Sequence, residues 1–142
     1  MIDEPPWKHS PLPPFELIRQ VAPTDIDELG HVNNVVYLAW VQDVAVAHWN
    51  SLTSQTLRET LLWVALRHEI DYKAEAVLGD SVIAVTWTGA ARGLRYARHT
   101  QILRQRDRGL LAEAVTDYCP VNAQSRKPMR LPNDIAAYFR KD

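Results

Sequence analysis

A nearly all-apolar segment, NVVYLAWVQDVAVAHWN, starts at Asn34, ends at about Asn50 and limits the folds open to this chain. It contains neither proline nor glycine, and either Asn33 or Asn34 can cap the N-terminus of a helix. Its apolar residues cover most of the helical circumference, so the segment predicts a helix that other elements enclose. At about 1.5 Å per residue this helix is roughly 25 Å long, the depth of a small domain.

Five strand-like segments accompany this helix. One precedes it, and the short spacing of the other four, with glycine-containing turns at residues 79, 93 and 109, predicts consecutive antiparallel pairing. A short helical turn is predicted near the C-terminus, at residues 132–140. We therefore predict an α+β fold in which a curved antiparallel five-stranded sheet wraps around one long central helix. The predicted strands are residues 15–22, 62–72, 81–89, 94–104 and 110–121.

Composition predicts a single soluble domain. The chain has 142 residues and a formal net charge of −1, so bulk charge gives no reason to expect nucleic acid or an anionic membrane as partner. Six of the nine prolines fall in residues 1–23, which predicts an extended leader at 1–14 before one domain at 15–142. The leader lacks the basic and apolar regions of a signal peptide, and the single cysteine, Cys119, suits a reducing compartment. A cytoplasmic location is expected.

The loop DIDELGHVNN, directly before the helix, concentrates polar residues and allows three interpretations: a cation site, a turn with a helix cap, or an active site. Asp25, Asp27 and Gly30 match the first, third and sixth positions of a calcium-binding loop. The fifth and twelfth positions are Leu29 and Val36, which have no side-chain oxygen, so a calcium site is rejected.

No other metal site is expected either. A zinc or iron site needs several ligands at suitable spacing, and no two histidines lie three to five residues apart. His48 on the helix and His68 and His99 on strands are interpreted as structural or surface residues. The five histidines of the chain are His9, His31, His48, His68 and His99.

The loop's residues taken singly fit an ordinary strand-to-helix turn, with Asp25 as turn former and Asn33 as cap. Their combination also suits catalysis. A carboxylate ahead of a helix N-terminus stays ionised, and the first-turn N–H groups of the helix have no partners within it. Such N–H groups can stabilise the negative charge that develops on an attacked carbonyl, while Asp27 attacks or activates water.

The motif D-x-D-x-x-G-H-V-N-N-x-x-Y, from Asp25 to Tyr37, resembles the signature of hotdog-fold acyl-CoA thioesterases of the 4-hydroxybenzoyl-CoA thioesterase group. The resemblance covers about residues 15–133. It implies that Asp27 is the catalytic nucleophile or general base and that the backbone N–H of Asn34 polarises the thioester carbonyl. It also implies an acyl-CoA substrate with no separate cofactor, and a homodimer that often pairs into a tetramer. The positions that would line or shape the substrate site are Gly30, His31, Asn33 and Tyr37.

Two departures from many relatives bear on the substrate subclass: Gln42 stands where they carry glutamate, and Ala45 where they carry arginine. Two alternatives to hydrolysis remain open: a hotdog protein that binds acyl thioesters or aromatic acids without converting them, and a dehydratase or hydratase that uses His31 with Asp27. Cations are needed for the phosphates of coenzyme A. The candidates are Lys73, Arg92, Arg126, Lys127 and Arg130.

Overall fold

The computed structural model describes residues 4–141, and within them an antiparallel sheet packs against one long helix. Glycines at positive φ mark the turns that the sequence predicts at positions 79 and 93. The helices are α1 (Asn34–Leu52), α2 (Gln55–Thr60) and α3 (Asn133–Ala136). The strands are β1 (Phe15–Gln20), β2 (Leu61–Tyr72), β3 (Ser81–Arg92), β4 (Arg95–Arg104), β5 (Leu110–Asn122) and β6 (Arg140–Lys141). The predicted α+β hotdog architecture is confirmed.

The strand order is β1-β3-β4-β5-β2, with β6 beside β3. The prediction of consecutive pairing is correct for β3, β4 and β5 but wrong for β2, which pairs with β5. The connection from β2 to β3 is not a tight turn. It crosses the end of the sheet, where Lys73 donates a backbone hydrogen bond to Leu111 (2.8 Å) and Ala76 accepts one from Val32 (2.9 Å). β2 therefore becomes an edge strand, and its exposed residues include Val64 and Leu66.

Helix α1 packs one face against the sheet and leaves the opposite face exposed. Tyr37, Trp40 and Val44 are buried in the main core. By contrast, Val35 is 72% and Val46 is 57% exposed. The prediction that other elements enclose this helix on all sides is therefore wrong within one chain. None of the helices in residues 4–141 combines the length and apolarity needed to cross a membrane.

Both ends of the described chain pack on the sheet. The described part of the proline-rich leader contains no helix, but it forms turns rather than running fully extended, and Trp7 packs edge-on against Trp87 at 5.5 Å. At the C-terminus Ile135 and Phe139 join a second core cluster. The predicted terminal turn is shorter than expected, because the chain leaves α3 and adds β6 parallel to β3. Helix α2 lies between α1 and β2, where the sequence analysis predicts neither helix nor strand.

Candidate active site

The turn that carries Asp27 is built by backbone hydrogen bonds between residues 26 and 32. The Asp27 N–H donates to the carbonyl of His31 (3.0 Å), and the Gly30 N–H donates to the carbonyl of Asp27 (3.1 Å). Gly30 has φ +87°, a left-handed conformation that glycine adopts without a Cβ penalty. The Asp27 side chain accepts a hydrogen bond from the Leu29 N–H at 2.9 Å through Oδ1. Among the described residues, no hydrogen bond uses its second oxygen, Oδ2.

Asp25 and Asn33 have the structural roles that the turn interpretation assigns to them. The Asp25 carboxylate accepts a hydrogen bond from the Ala22 N–H (2.8 Å), and its carbonyl accepts one from the Asn33 N–H (2.9 Å). Asn33 is the N-cap of α1, where its side-chain oxygen accepts a hydrogen bond from the Val35 N–H at 3.0 Å. Its Oδ1 atom is therefore engaged in capping. The sequence left the cap open between Asn33 and Asn34, and the structure assigns it to Asn33.

The first helical residue, Asn34, presents a free backbone donor. Within residues 4–141 its N–H has no hydrogen-bond partner, whereas the next two N–H groups of the helix bond to Asn33. Its carbonyl accepts a hydrogen bond from the Tyr72 hydroxyl at 3.1 Å. The Tyr37 hydroxyl accepts one from the Ala76 N–H at 3.0 Å. These two tyrosines fix the start of α1 against the end of β2 and the chain that follows it.

An open cavity of about 660 Å³ lies at this junction. His31 faces it with Nε2 3.5 Å from Glu75 Oε1, and Lys73 faces it while lying 3.8 Å from Glu113. The structure thus brings four predicted site residues, His31, Asn34, Tyr37 and Lys73, around one cavity. Asp27, Gly30 and Asn33 are not among the residues that line it, although their turn leads directly into the helix start. Tyr72 and Glu75 belong to this cavity as well, although no motif in the sequence assigns them to it. The lining residues include Leu29, His31, Asn34, Tyr37, Tyr72 and Lys73.

The other candidate cations lie far from this cavity within the chain. Arg92 is the last residue of β3, whereas the site adjoins the connection that leads into the first residue of that strand, so the two lie at opposite ends of β3. Arg126 lies in the turn after β5, beside the start of β2, whereas the site adjoins the end of β2. Strands of this length span roughly 35 Å at about 3.3 Å per residue. A role for either arginine at this site would therefore need a second chain. Lys127 and Arg130 follow Arg126 at the same end of the sheet.

A buried charge that sequence reasoning missed lies deeper in the fold. Arg98 is 6% exposed, and its Nη1 lies 2.8 Å from Nδ1 of His48, which is 3% exposed. Burial, followed by the charge of Arg98, lowers the pKa of His48 to about 4, so this imidazole is neutral at pH 7 and its Nδ1 accepts a hydrogen bond from Arg98 Nη1. Burial also lowers the pKa of Arg98 to about 10, which leaves it charged. An arginine in an alternating strand pattern predicts a surface position, so the sequence offered no signal.

No group of three or more His, Cys, Asp or Glu side chains in residues 4–141 is arranged to hold a metal ion. His48 is buried and stacks on Phe15 at 5.0 Å. His68 lies 2.9 Å from Thr116 through Nδ1, and His99 stacks on Trp87. Because their rings pack against or hydrogen-bond to neighbouring side chains, these three histidines have structural roles.

A family model described as the thioesterase-like superfamily matches residues 21–139. A comparison with curated proteins gives no match. Among solved structures, a 1,4-dihydroxy-2-naphthoyl-CoA thioesterase from Synechocystis is similar, with 22% identity, a TM-score of 0.77 and coverage of 89% of this chain and 95% of that chain. A thioesterase from Thermus thermophilus, complexed with coenzyme A and Zn, has 23% identity, a TM-score of 0.75 and coverage of 86% and 94%. A probable thioesterase from Bartonella henselae has 22% identity, a TM-score of 0.70 and coverage of 82% and 96%. At these identities the structures establish the common fold.

Proposed function

The chain belongs to the thioesterase-like superfamily, and we propose that it hydrolyses acyl-CoA thioesters to a free acid and coenzyme A at the cavity beside the N-terminus of α1. Membership confirms the predicted enzyme class, a thioester hydrolase. The observation that carries the proposal is that Asn34, which lines this cavity, has a free backbone N–H and follows Asp27 by seven residues. Among the described residues, the Asp27 carboxylate keeps one oxygen without a hydrogen bond. Two similar structures contain coenzyme A, which supports this form of thioester.

Each group has a defined chemical task. The Asn34 N–H at the positive end of the α1 dipole donates to the thioester carbonyl oxygen and stabilises the negative charge that develops there. Asp27 either takes a proton from the attacking water or attacks the carbonyl itself, in which case water hydrolyses the resulting anhydride. In both routes the C–S bond breaks and coenzyme A leaves as its thiol. No cofactor is part of the proposed reaction.

His31 and Lys73 have supporting roles at the same cavity. Lys73 places a cation at the mouth, where it can bind a phosphate of coenzyme A, and its nearest carboxylate contact, to Glu113, is long at 3.8 Å. His31 shapes the wall beside Glu75. Gly30 holds the turn that places Asp27 ahead of the helix.

We also propose that the working unit is a homodimer that can pair into a tetramer. The exposed face of α1 carries Val35 and Val46, and the edge strand β2 carries exposed Val64 and Leu66. A second copy could cover both features and bring the distant arginines toward the cavity. Light scattering after size-exclusion chromatography should give a multiple of the 16.2 kDa chain mass. Leu66→Lys should lower it, because the added charge opposes strand pairing, whereas a monomeric wild type would contradict this assembly.

The decisive test measures release of free thiol from a panel of acyl-CoA thioesters. Asp27→Asn should lower kcat at least about 100-fold, the usual scale for loss of a general base, while its amide oxygen still accepts the Leu29 hydrogen bond. Asp25→Asn is the matched control, because it changes the neighbouring carboxylate that only holds the Ala22 N–H. Equal rates for wild type and Asp27→Asn would refute the mechanism.

The same panel separates the alternatives. A non-catalytic binding protein would bind the thioesters tightly without releasing thiol. A dehydratase or hydratase would change the absorbance of an enoyl-CoA or hydroxyacyl-CoA without releasing thiol.

The cytoplasm is the proposed location, because Cys119 is a free thiol buried in the fold.

A further inference from the structure

Arg98 occupies a position in the fold where an apolar side chain is expected. It lies in the middle of β4, where its neighbours on β3 and β5 are the buried residues Thr88 and Thr116. Its side chain points toward α1, because Nη1 contacts His48 on that helix. Only 6% of the residue is exposed. A guanidinium that is charged at neutral pH is therefore held between the sheet and the helix.

The hydrogen bonds of Arg98 leave part of its guanidinium unused. Nη1 lies 2.8 Å from His48 Nδ1 and donates to Thr86 Oγ1 at 3.2 Å. Within residues 4–141, Nε and Nη2 have no hydrogen-bond partner, and no carboxylate forms an ion pair with Arg98. Neither nitrogen is completely enclosed by protein atoms, so both can be reached from open space. A buried cation without a counter-ion is costly to keep, and its free donors suit an anion.

The space beside Arg98 is a cavity of about 220 Å³ with an aromatic wall. Among the described residues that line it, Arg98 alone is charged. A dry cavity of about 150 Å³ accommodates benzene in another protein, so this volume suits a single aromatic ring with one small substituent. The other walls are formed mainly by Gln42, Val46, Trp49, Trp63, Tyr118 and Phe139.

We propose that this cavity binds a carboxylate carried on an aromatic or short apolar body. The Nε–H and Nη2–H groups of Arg98 form a planar fork that matches the two oxygens of a carboxylate. Trp49 and Trp63, which pack edge-on at 5.5 Å, contact the apolar body. Tyr118 is uncharged here, because burial raises the pKa of its hydroxyl, so the wall carries no competing anion.

The carboxylate can come from two sources. The exposed face of α1 runs from Asn34 to Gln42 and Val46, so an acyl group whose thioester lies at Asn34 could reach the cavity after roughly 12 Å of helix. In that case Arg98 binds a carboxylate at the far end of the acyl group. Alternatively the cavity takes a free carboxylic acid, such as a product of hydrolysis.

Calorimetric titration with benzoate and benzamide tests the site directly, since the two probes share a ring and differ in charge. The wild-type protein should bind benzoate at least tenfold more tightly than benzamide. Arg98→Met should lose this preference, whereas Arg95→Met should keep it. Arg95 is the matched control because it lies on the same strand but is exposed and paired with Asp117 at 2.9 Å. Equal binding of the two probes by the wild type would overturn the proposal.

A second variant keeps the test valid if Arg98→Met does not fold by circular dichroism. Val46→Trp retains Arg98 and fills the mouth of the cavity from a helical position that is exposed in the single chain. Because the proposed dimer covers this face, light scattering first checks that the variant keeps the oligomeric state of the wild type. It should weaken benzoate binding at least tenfold. Unchanged benzoate affinity in Val46→Trp would also overturn the proposal.

A kinetic measurement distinguishes the two sources of the carboxylate, and it rests on the proposed thioesterase function. Dodecanedioyl-CoA and dodecanoyl-CoA have acyl chains of equal length, long enough to cover the roughly 12 Å of helix between Asn34 and the cavity, and only the first ends in a carboxylate. If the acyl group supplies the carboxylate, kcat/KM should favour dodecanedioyl-CoA at least tenfold, and Arg98→Met should abolish the preference. If a free acid is the ligand, the ratio should stay near one in both proteins while benzoate still binds. Because the titration needs no hydrolysis, failure of the thioesterase function would appear only in this kinetic measurement.

Discussion

The hydroxyl of Tyr37 on α1 accepts a hydrogen bond from the backbone N–H of Ala76 at 3.0 Å, and both residues are almost completely buried. This contact ties the first turn of the helix to the connection between β2 and β3. Burial raises the pKa of Tyr37, so the hydroxyl is uncharged at neutral pH. The wall of the candidate active site therefore depends on a bond between segments 39 residues apart in the sequence.

Removing this hydroxyl should destabilise the protein. Tyr37→Phe leaves the Ala76 N–H buried without an acceptor, so the free energy of unfolding should fall by about 1–3 kcal/mol in urea denaturation. Tyr72→Phe is the control, because its hydroxyl is in a residue 45% exposed and water can replace the bond to Asn34. The free energy of unfolding should fall less in Tyr72→Phe than in Tyr37→Phe. Equal stabilities of Tyr37→Phe and wild type would contradict the assigned bond.

The turn before α1 should tolerate few side chains at position 30. A Cβ at Gly30 meets no atom within 4 Å, but its φ of +87° is unfavourable for alanine. Gly30→Ala should therefore lower the free energy of unfolding by about 1–2 kcal/mol, the cost of a left-handed residue. Gly30→Asn should lose less, since asparagine adopts this region more readily. Chemical denaturation measures both, and an Ala variant as stable as the Asn variant would refute the conformational argument.

Stability should fall as the solution is acidified, in part because of His48. Its pKa is about 4 in the folded protein and near 6.5 when unfolded, so between these values the unfolded state binds more protons. The stabilisation is present above pH 6.5 and is lost as the pH falls through 4, with a maximum of about 3 kcal/mol. Unfolding in urea at pH 7, 5.5 and 4 should show this loss, and His48→Gln should show a shallower one. Parallel profiles for the two proteins would exclude this role of His48.

The leader should contribute to stability, although residues 4–14 form turns rather than helix or strand. Trp7 packs edge-on against Trp87, and Ser10 hydrogen-bonds Thr88 at 3.1 Å. Trp7→Ala should lower the free energy of unfolding by about 1 kcal/mol or more, since an aromatic pair adds to the area it buries. Lys8→Ala, at an exposed neighbouring position, should have a much smaller effect. A thermal melt that is unchanged by Trp7→Ala would show that the leader does not dock in solution.

Local patterns predicted the elements of this fold well because each pattern reports on its own segment. The absence of proline and glycine predicted the long helix, and Asn33 does cap it. Strand pairing was less predictable. The segment after Tyr72 was interpreted as a turn toward a neighbouring strand, but it crosses the sheet because Lys73 and Ala76 find partners on other elements. Such partners lie far away in sequence and leave no local signal.

The candidate site divides in the same way. Asp27, Gly30 and Asn34 form one continuous motif, so their turn and the helix start could be predicted together. Tyr72 and Glu75 reach the cavity only because β2 ends beside the helix. Predictions for Arg92 and Arg126 rested on charge alone, and the fold places both at the opposite end of the sheet within one chain.

The sequence by itself determined the helix, its cap and the polar turn ahead of it, because the hydrogen bonds that define them join residues within a few positions of one another. The tertiary structure alone decided which face of α1 the sheet covers, where β2 pairs, and that Arg98 lies buried beside His48. Those outcomes depend on the burial of apolar area and on contacts across 50 residues of chain. Arg98 is the clearest case, since a charged residue on a strand predicts exposure until the packing of the helix encloses it.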